Sequence, residues 1–76
     1  MQSLEFELED GHEYVELNQL LKLVGVCDSG GIGKQIVASG VVSVDGKTEL
    51  RKTCKIRPGQ MVSLDGVEVR VVAAGV

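Results

Sequence analysis

The chain has 76 residues, of which 43% are apolar and 25% are charged, and its formal net charge at pH 7 is −3. A chain of this length forms one domain with a thin core, since it buries only about 60% of the surface that its unfolded form exposes. No apolar run approaches the length of about 20 residues that a membrane-spanning helix needs, and the acidic N-terminus does not resemble a signal peptide. We therefore expect a single cytoplasmic domain covering 1–76, with no membrane association.

The charges are unevenly distributed along the chain. The first 16 residues hold six acids and no base, whereas residues 17–76 hold eight bases and five acids. Five of these bases lie between Lys47 and Arg57, where Glu49 is the one acid. A partner responds to the local field within about 8–10 Å at physiological salt. The pattern predicts a basic end on a molecule that is acidic as a whole.

The N-terminal half reads as one strand followed by two helices. Apolar side chains alternate with glutamates over residues 4–8, which is typical of a half-buried strand. Apolar residues recur at helical spacing over 17–24, and Gly25 is placed to end that helix. A second helix is predicted to begin at a cap formed by Asp28 or Ser29 and to end at Gly40. Its expected apolar contacts are Ile32, Ile36 and Val37.

The C-terminal half reads as strands joined by tight turns. Residues 42–44 lead into Asp45-Gly46, a strong hairpin signal, and a return strand is expected over 47–57. Alternation places Leu50, Cys54 and Ile56 on its inward face and Lys47, Arg51, Lys55 and Arg57 on its outward face. Lys52 breaks the alternation, which predicts a bulge or loop there. Strands over 61–64 and 67–72 follow, separated by an Asp-Gly turn. The expected fold class is α+β, with two short consecutive helices packed on a small antiparallel sheet.

The residues of an enzyme or a metal site are not found in this sequence. The one histidine, His12, lies in a predicted acidic loop, and no Cys or His spacing fits a metal site. Cys27 and Cys54 have no imidazole partner in view and are expected to remain reduced thiols. The glycine-rich run 29–34 fails the pattern of a nucleotide-binding loop, because Asp28 and Gln35 stand where that pattern needs Gly and Ser or Thr. We expect a protein without catalysis, metal or cofactor.

The glycine-rich start of the second helix has two interpretations. A helix N-terminus offers free N–H groups to a phosphate, and glycine removes the Cβ that would hold the phosphate away. Ser29, Gly30, Gly31 and Lys34 are therefore candidate phosphate-binding residues. The glycines could equally permit close packing of the two helices, and the sequence leaves both interpretations open.

The basic segment points to an anionic partner more directly. Lys47, Arg51, Lys55 and Arg57 are expected on one face, with Lys52 beside them. Since both aromatic residues fall in the acidic N-terminal part, stacking of unpaired bases is not expected, which favours folded RNA recognised by shape and phosphate position. The alternative is a docking module whose basic face meets an acidic protein.

The order of these motifs resembles the RNA-binding domain named after small-subunit ribosomal protein S-four, and most closely the small stand-alone bacterial proteins of the YbcJ type. The resemblance is carried by 16–23 (ELNQLLKL), Ser29-Gly30-Gly31 with Lys34, 40–46 (GVVSVDG), 49–52, 54–56 and 59–60, within a motif core of about 13–72.

This resemblance implies an αL-type RNA-binding motif, acting as a monomer on ribosomal or transfer RNA and associated with the ribosome. It implies contacts from Ser29, Gly30, Gly31 and Lys34, and from Arg51, Lys52 and Lys55. Many relatives have Arg directly after the capping serine, where this chain has Gly30. The resemblance therefore implies that RNA affinity depends more on backbone amides and Lys34 in this chain than in relatives that have this Arg.

Overall fold

The computed structural model describes residues 2–75, which form two helices and seven strands. In chain order they are β1 (Gln2–Glu7), β2 (Val15–Glu16), α1 (Leu17–Leu23), α2 (Gly30–Ala38), β3 (Ser43–Val44), β4 (Lys47–Thr48), β5 (Lys55–Ile56), β6 (Met61–Leu64) and β7 (Val67–Val72). Neither helix is long and apolar enough to cross a membrane within the described range. The predicted α+β class, with two consecutive helices on a small sheet, is confirmed.

The main sheet has five strands in the order β1-β7-β6-β3-β4. The pairs β3–β4, β3–β6 and β6–β7 are antiparallel, but β1 runs parallel to β7, with Leu4 opposite Val69. The sheet is therefore mixed and not wholly antiparallel as expected. Local turn signals fix the hairpins, whereas the β1–β7 pairing joins strands about sixty residues apart and leaves no local signal.

Both predicted Asp-Gly hairpin turns are present. Asp45 and Gly46 have φ values of 51° and 83°, and Asp65 and Gly66 have φ values of 44° and 78°. Positive φ at both central residues is the geometry of a type I′ turn, whose twist matches the twist of the flanking strands. These turns join β3 to β4 and β6 to β7.

The core lies between the helices and the sheet. Helix α1 buries Leu17, Leu20 and Leu21, as its apolar spacing predicts. Helix α2 buries Val37 and half-buries Ile36, but Ile32 is 44% exposed, so its predicted core contact is wrong. Ile32 lies in the first turn of α2, on the far side from the glycines that face α1. The remaining buried apolar residues are Leu8, Val42, Ile56, Val62, Leu64, Val69 and Val71.

The predicted return strand over 47–57 is wrong. Only β4 pairs with β3, and β5 pairs instead with β2 in a separate two-stranded sheet. Between them a loop is closed by Glu49, whose carboxylate accepts the Arg51 N–H at 2.9 Å. This side-chain-to-backbone bond replaces a sheet hydrogen bond and turns the chain away from β3. Leu50, expected to point inward, is consequently 60% exposed.

Candidate nucleic-acid interface

Helix α2 begins with an N-cap that leaves two glycine amides free of helical acceptors. Ser29 Oγ accepts the N–H of Ile32 at 3.2 Å, and the Ser29 carbonyl accepts the N–H of Gly33 at 3.0 Å. The N–H groups of Gly30 and Gly31 precede the first helical hydrogen bond and have no acceptor within the helix. Gly31 is exposed and Gly30 partly so. The predicted Ser29 cap is confirmed, and the helix start can donate to an anion.

The three glycines of α2 have different surroundings. A Cβ on Gly33 would lie 2.5 Å from the Asn18 carbonyl oxygen, so this glycine permits the close crossing of α1 and α2. A Cβ on Gly30 would meet the flexible amide of Gln19 at 2.6 Å. Beside Gly31 a Cβ would come no closer than 3.8 Å to Ser29 Oγ. The packing interpretation therefore holds for Gly33, whereas Gly31 stands open to an incoming ligand.

Four predicted basic residues come together in one groove, which we name the basic groove. Lys34 from α2 and Arg51, Lys52 and Lys55 from the β4–β5 segment line an open groove of about 780 Å³. Its other lining residues are Leu50, Thr53 and Cys54, so no acid among residues 2–75 lines it. Lys34 and the basic segment, which the sequence identified separately, thus form one surface.

Asn18, which the sequence interpretation overlooked, connects this groove to the start of α2. Its backbone N–H donates to the Lys52 carbonyl at 3.2 Å, and its side-chain Nδ2 donates to the Gly30 carbonyl at 3.4 Å. Asn18 is buried, and its Oδ1 has no hydrogen-bond partner among residues 2–75. The one signal for Asn18 in the sequence was that a polar residue lies beside the apolar stripe of a predicted helix. Asn18 therefore fixes the position of the loop at Lys52 relative to the start of α2.

Arg51 is held by Glu49 in a two-point ion pair. Its Nε and Nη2 donate to the two carboxylate oxygens, each at 3.0 Å. The side-chain and then the backbone hydrogen bonds from Arg51 lower the pKa of Glu49 to about 2. Partial burial, followed by the hydrogen bond to Glu49, raises the pKa of the Cys54 thiol. The guanidinium remains exposed, but Glu49 offsets much of its charge, so the three lysines dominate the field of the groove.

The other two predicted basic residues lie outside the basic groove. Lys47 is exposed on β4, the edge strand of the main sheet. Arg57 follows β5, and its Cζ lies 5.7 Å from the centre of the Tyr14 ring, which Lys55 Nζ approaches to 5.0 Å. The expected single face of Lys47, Arg51, Lys55 and Arg57 is therefore wrong, because the chain between β4 and β5 is a loop. The placement of Tyr14 against basic side chains was also unforeseen, since the β2–β5 pairing that creates it is non-local.

Comparison with known proteins identifies the family. Residues 6–72 match the family model of the S4 domain. The chain belongs to the S4 domain family. The matched range includes both helices, the Asp45-Gly46 hairpin and the basic segment.

Named relatives of this S4 domain share about half of its residues. It is 53% identical over 62 residues to a protein of Escherichia coli (strain K12) named "Putative RNA-binding protein YbcJ", covering 82% of this chain and 89% of that protein. The same values hold for "Uncharacterized protein YbcJ" of Shigella flexneri. The solution structure of YbcJ from E. coli, described as revealing an αL motif involved in RNA binding, matches with a TM-score of 0.69 and 51% identity. That match covers 91% of this chain and 86% of the other. The predicted resemblance to the YbcJ type is confirmed.

Proposed function

We propose that this S4 domain binds structured RNA through backbone phosphates at the basic groove and the start of α2. The observation that carries the proposal is the convergence of Lys34 with Arg51, Lys52 and Lys55 in a solvent-open groove whose other described lining residues are uncharged. Clustered cations release condensed counterions when they neutralise phosphates, which gives affinity without base contacts. The RNA-binding descriptions of the E. coli relative and its structure support this choice of ligand.

The start of α2 supplies a second set of phosphate donors in this proposal. The N–H groups of Gly30 and Gly31 and the hydroxyl of Ser29 donate to a phosphate at the helix start, and Lys34, which lines the groove, follows one turn later. Lys47 and Arg57 lie outside the groove and add to the positive field that the RNA backbone meets. Asn18 keeps these donors in register with the Lys52 loop through its two hydrogen bonds.

The ligand is a folded RNA whose shape is recognised. Single-strand readers stack unpaired bases on open aromatic rings, and this chain has one Tyr and one Phe. Lys55 and Arg57 lie against the Tyr14 ring, and Phe6 packs against the core. Both rings thus contact other residues of the fold and lie in the acidic N-terminal part, which favours phosphate position and groove shape as the recognised features.

We also propose a cellular target, which the resemblance to the S4 domain family implies. The target is ribosomal or transfer RNA, bound in association with the ribosome in the cytoplasm. The protein acts without catalysis and as a monomer, and residues 1–76 form one domain with its motif core at about 13–72. An acidic protein partner for the basic groove is the competing ligand that the experiment must distinguish.

The test is RNA binding by a variant that removes the three groove lysines. In Lys34→Ala/Lys52→Ala/Lys55→Ala, we expect the affinity for mixed transfer RNA and for ribosomal RNA fragments to fall about tenfold or more. The matched control is Lys22→Ala/Arg70→Ala, which removes exposed bases outside the basic groove and should bind nearly as the parent does. Fluorescence anisotropy measures both, with oligouridine as the single-stranded competitor. Equal losses in both variants, or no loss in the lysine variant, would reject the assigned surface.

A further inference from the structure

A second groove lies on the acidic N-terminal part of the chain, and we name it the acidic groove. It has a volume of about 560 Å³ and runs between the end of β1, the 9–14 loop and α1. Its apolar lining comprises Phe6, Leu8, Tyr14, Val15 and Leu23, and its acidic lining comprises Glu9, Glu13 and Glu16. RNA binding makes no use of this groove, since its carboxylates repel phosphates.

The acidic groove exposes apolar side chains that the fold does not require. Leu23, at the end of α1, is 58% exposed, whereas Leu17, Leu20 and Leu21 form the core face of that helix. Tyr14, on the other side, is 38% exposed. Grouped exposed apolar residues with a polar rim mark surfaces that contact another molecule.

The carboxylates around this groove have no lysine or arginine partner within residues 2–75. Among the described residues, no lysine or arginine lines the groove or forms an ion pair with its glutamates. Lys55 lies opposite Glu16 in the β2–β5 ladder, but its ammonium is placed over the Tyr14 ring. His12 Nε2 lies 3.9 Å from Glu9. Within residues 2–75 no group of His, Cys, Asp or Glu is arranged to hold a metal ion, so the acids are not a metal site.

We propose that the acidic groove docks a basic segment of another protein, one in which lysines or arginines accompany large apolar side chains. The apolar side chains bury against Leu23, Tyr14 and Phe6, and the cations meet the rim of glutamates. Electrostatic complementarity of this kind selects the partner and speeds the encounter, while the buried apolar contacts hold it.

The two grooves adjoin, which places this partner beside the bound RNA. Tyr14 lines the acidic groove, and its ring lies against Lys55 and Arg57. Gln19 also lines it, and its amide reaches the position above Gly30. A basic protein segment lying along RNA has the required chemistry, so one molecule of this chain can contact an RNA and a protein bound to that RNA. Docking itself does not depend on RNA binding.

A peptide titration followed by amide chemical shifts tests the proposal. The probe is a short synthetic peptide in which pairs of lysines alternate with single leucines, and it is added to the isotope-labelled full chain. We expect saturable shifts confined to the residues that line the acidic groove. Peptides with every leucine changed to serine, or every lysine changed to glutamate, should bind far more weakly. Equal binding of the serine peptide, or shifts outside the groove, would overturn the proposal.

Variants separate docking from folding and from RNA binding. Leu23→Ser should lower the affinity for the peptide about tenfold, because it removes an exposed apolar contact. Glu9→Gln/Glu13→Gln should lower the affinity for the peptide about threefold to tenfold. The matched control Leu50→Ser removes a leucine of similar exposure that lines the basic groove, and it should bind the peptide as the parent does. Leu23→Ser should leave the affinity for transfer RNA unchanged.

Three further outcomes would overturn the proposal. The first is unchanged peptide affinity in Leu23→Ser. The second is an equal loss in Leu23→Ser and Leu50→Ser, which would show that neither groove is specific for the peptide. The third is a change in the chemical shifts of the groove residues when the protein concentration is raised without peptide. That result would make a second copy of this chain the occupant of the groove.

Discussion

The close crossing of the two helices makes a quantitative prediction about Gly33. A methyl group at this position would lie 2.5 Å from the Asn18 carbonyl oxygen and 3.2 Å from the Asn18 carbonyl carbon and Cα. These are backbone atoms, so an alanine forces α1 and α2 apart. Overpacking of this kind costs about 1–3 kcal/mol. Alanine also gains about 1 kcal/mol over glycine in a helix, which reduces the net effect.

Gly31→Ala is the matched control, because it adds the same methyl group to α2 without the clash. Its methyl group would come within 3.8 Å of Ser29 Oγ and nothing closer, and neither glycine has a positive φ. The difference between Gly33→Ala and Gly31→Ala therefore isolates the steric cost. We expect Gly33→Ala to be less stable by about 1–3 kcal/mol in urea denaturation. Each kcal/mol lowers the thermal midpoint of a domain this size by about 4–8 °C. Equal stability of the two variants would refute the assigned helix contact.

Three further predictions concern the loop between β4 and β5 and its anchor. The Arg51 hydrogen bonds hold the pKa of Glu49 near 2 against an ordinary 4.5, so they stabilise the fold fully above pH 4.5 and are lost as the pH falls towards 2. A carboxyl carbon titration by NMR should show this midpoint, and an ordinary value would refute the ion pair. Ile56→Ala should lower the free energy of unfolding by about 2–5 kcal/mol in urea denaturation, whereas Leu50→Ser should lower it by less than about 0.5 kcal/mol. Similar losses in the two variants would contradict the burial of Ile56 and the exposure of Leu50. Because the pKa of Cys54 is raised, its alkylation at neutral pH should be slower than that of a free cysteine, as mass spectrometry of the labelled peptide would show, and fast labelling would contradict it.

Local sequence signals predicted the elements and turns of this fold well. The leucine spacing over 17–24 placed α1, the Ser29 cap placed the start of α2, and the Asp-Gly pairs at 45–46 and 65–66 form hairpin turns. Each of these features depends on residues that are close in sequence. Residue preferences for turns and caps therefore determine them before any tertiary packing is known.

The errors arose where distant segments decide the structure. The alternation over 47–57 favoured one strand, but Glu49 closes a loop and β5 pairs with β2, about forty residues upstream. The parallel β1–β7 pair has the same non-local origin. Non-local pairing also brings Tyr14 from the acidic segment to Lys55 and Arg57. Such pairings depend on the whole hydrophobic core, which a single sequence pattern does not display.

The candidate site shows the same division between local and non-local information. The cap at Ser29, with the glycines that follow it, could be recognised from the capping motif. The basic residues could be recognised because they are concentrated in one segment. Their meeting in the basic groove depends on Asn18, which bonds to Lys52 and Gly30 across the fold. The role of Gly33 as a packing residue could be separated from that of Gly31 only when the distance to α1 was known.

The salt dependence of RNA binding tests the central claim most directly. If the four cations of the basic groove each neutralise one phosphate, the logarithm of the binding constant for transfer RNA falls with the logarithm of salt concentration with a slope of about −2.8 to −3.6. Lys34→Ala should reduce the magnitude of that slope by about one unit, and Lys22→Ala should leave it unchanged. A parent slope near zero, or an equal slope in the Lys34 variant, would contradict phosphate binding at the basic groove.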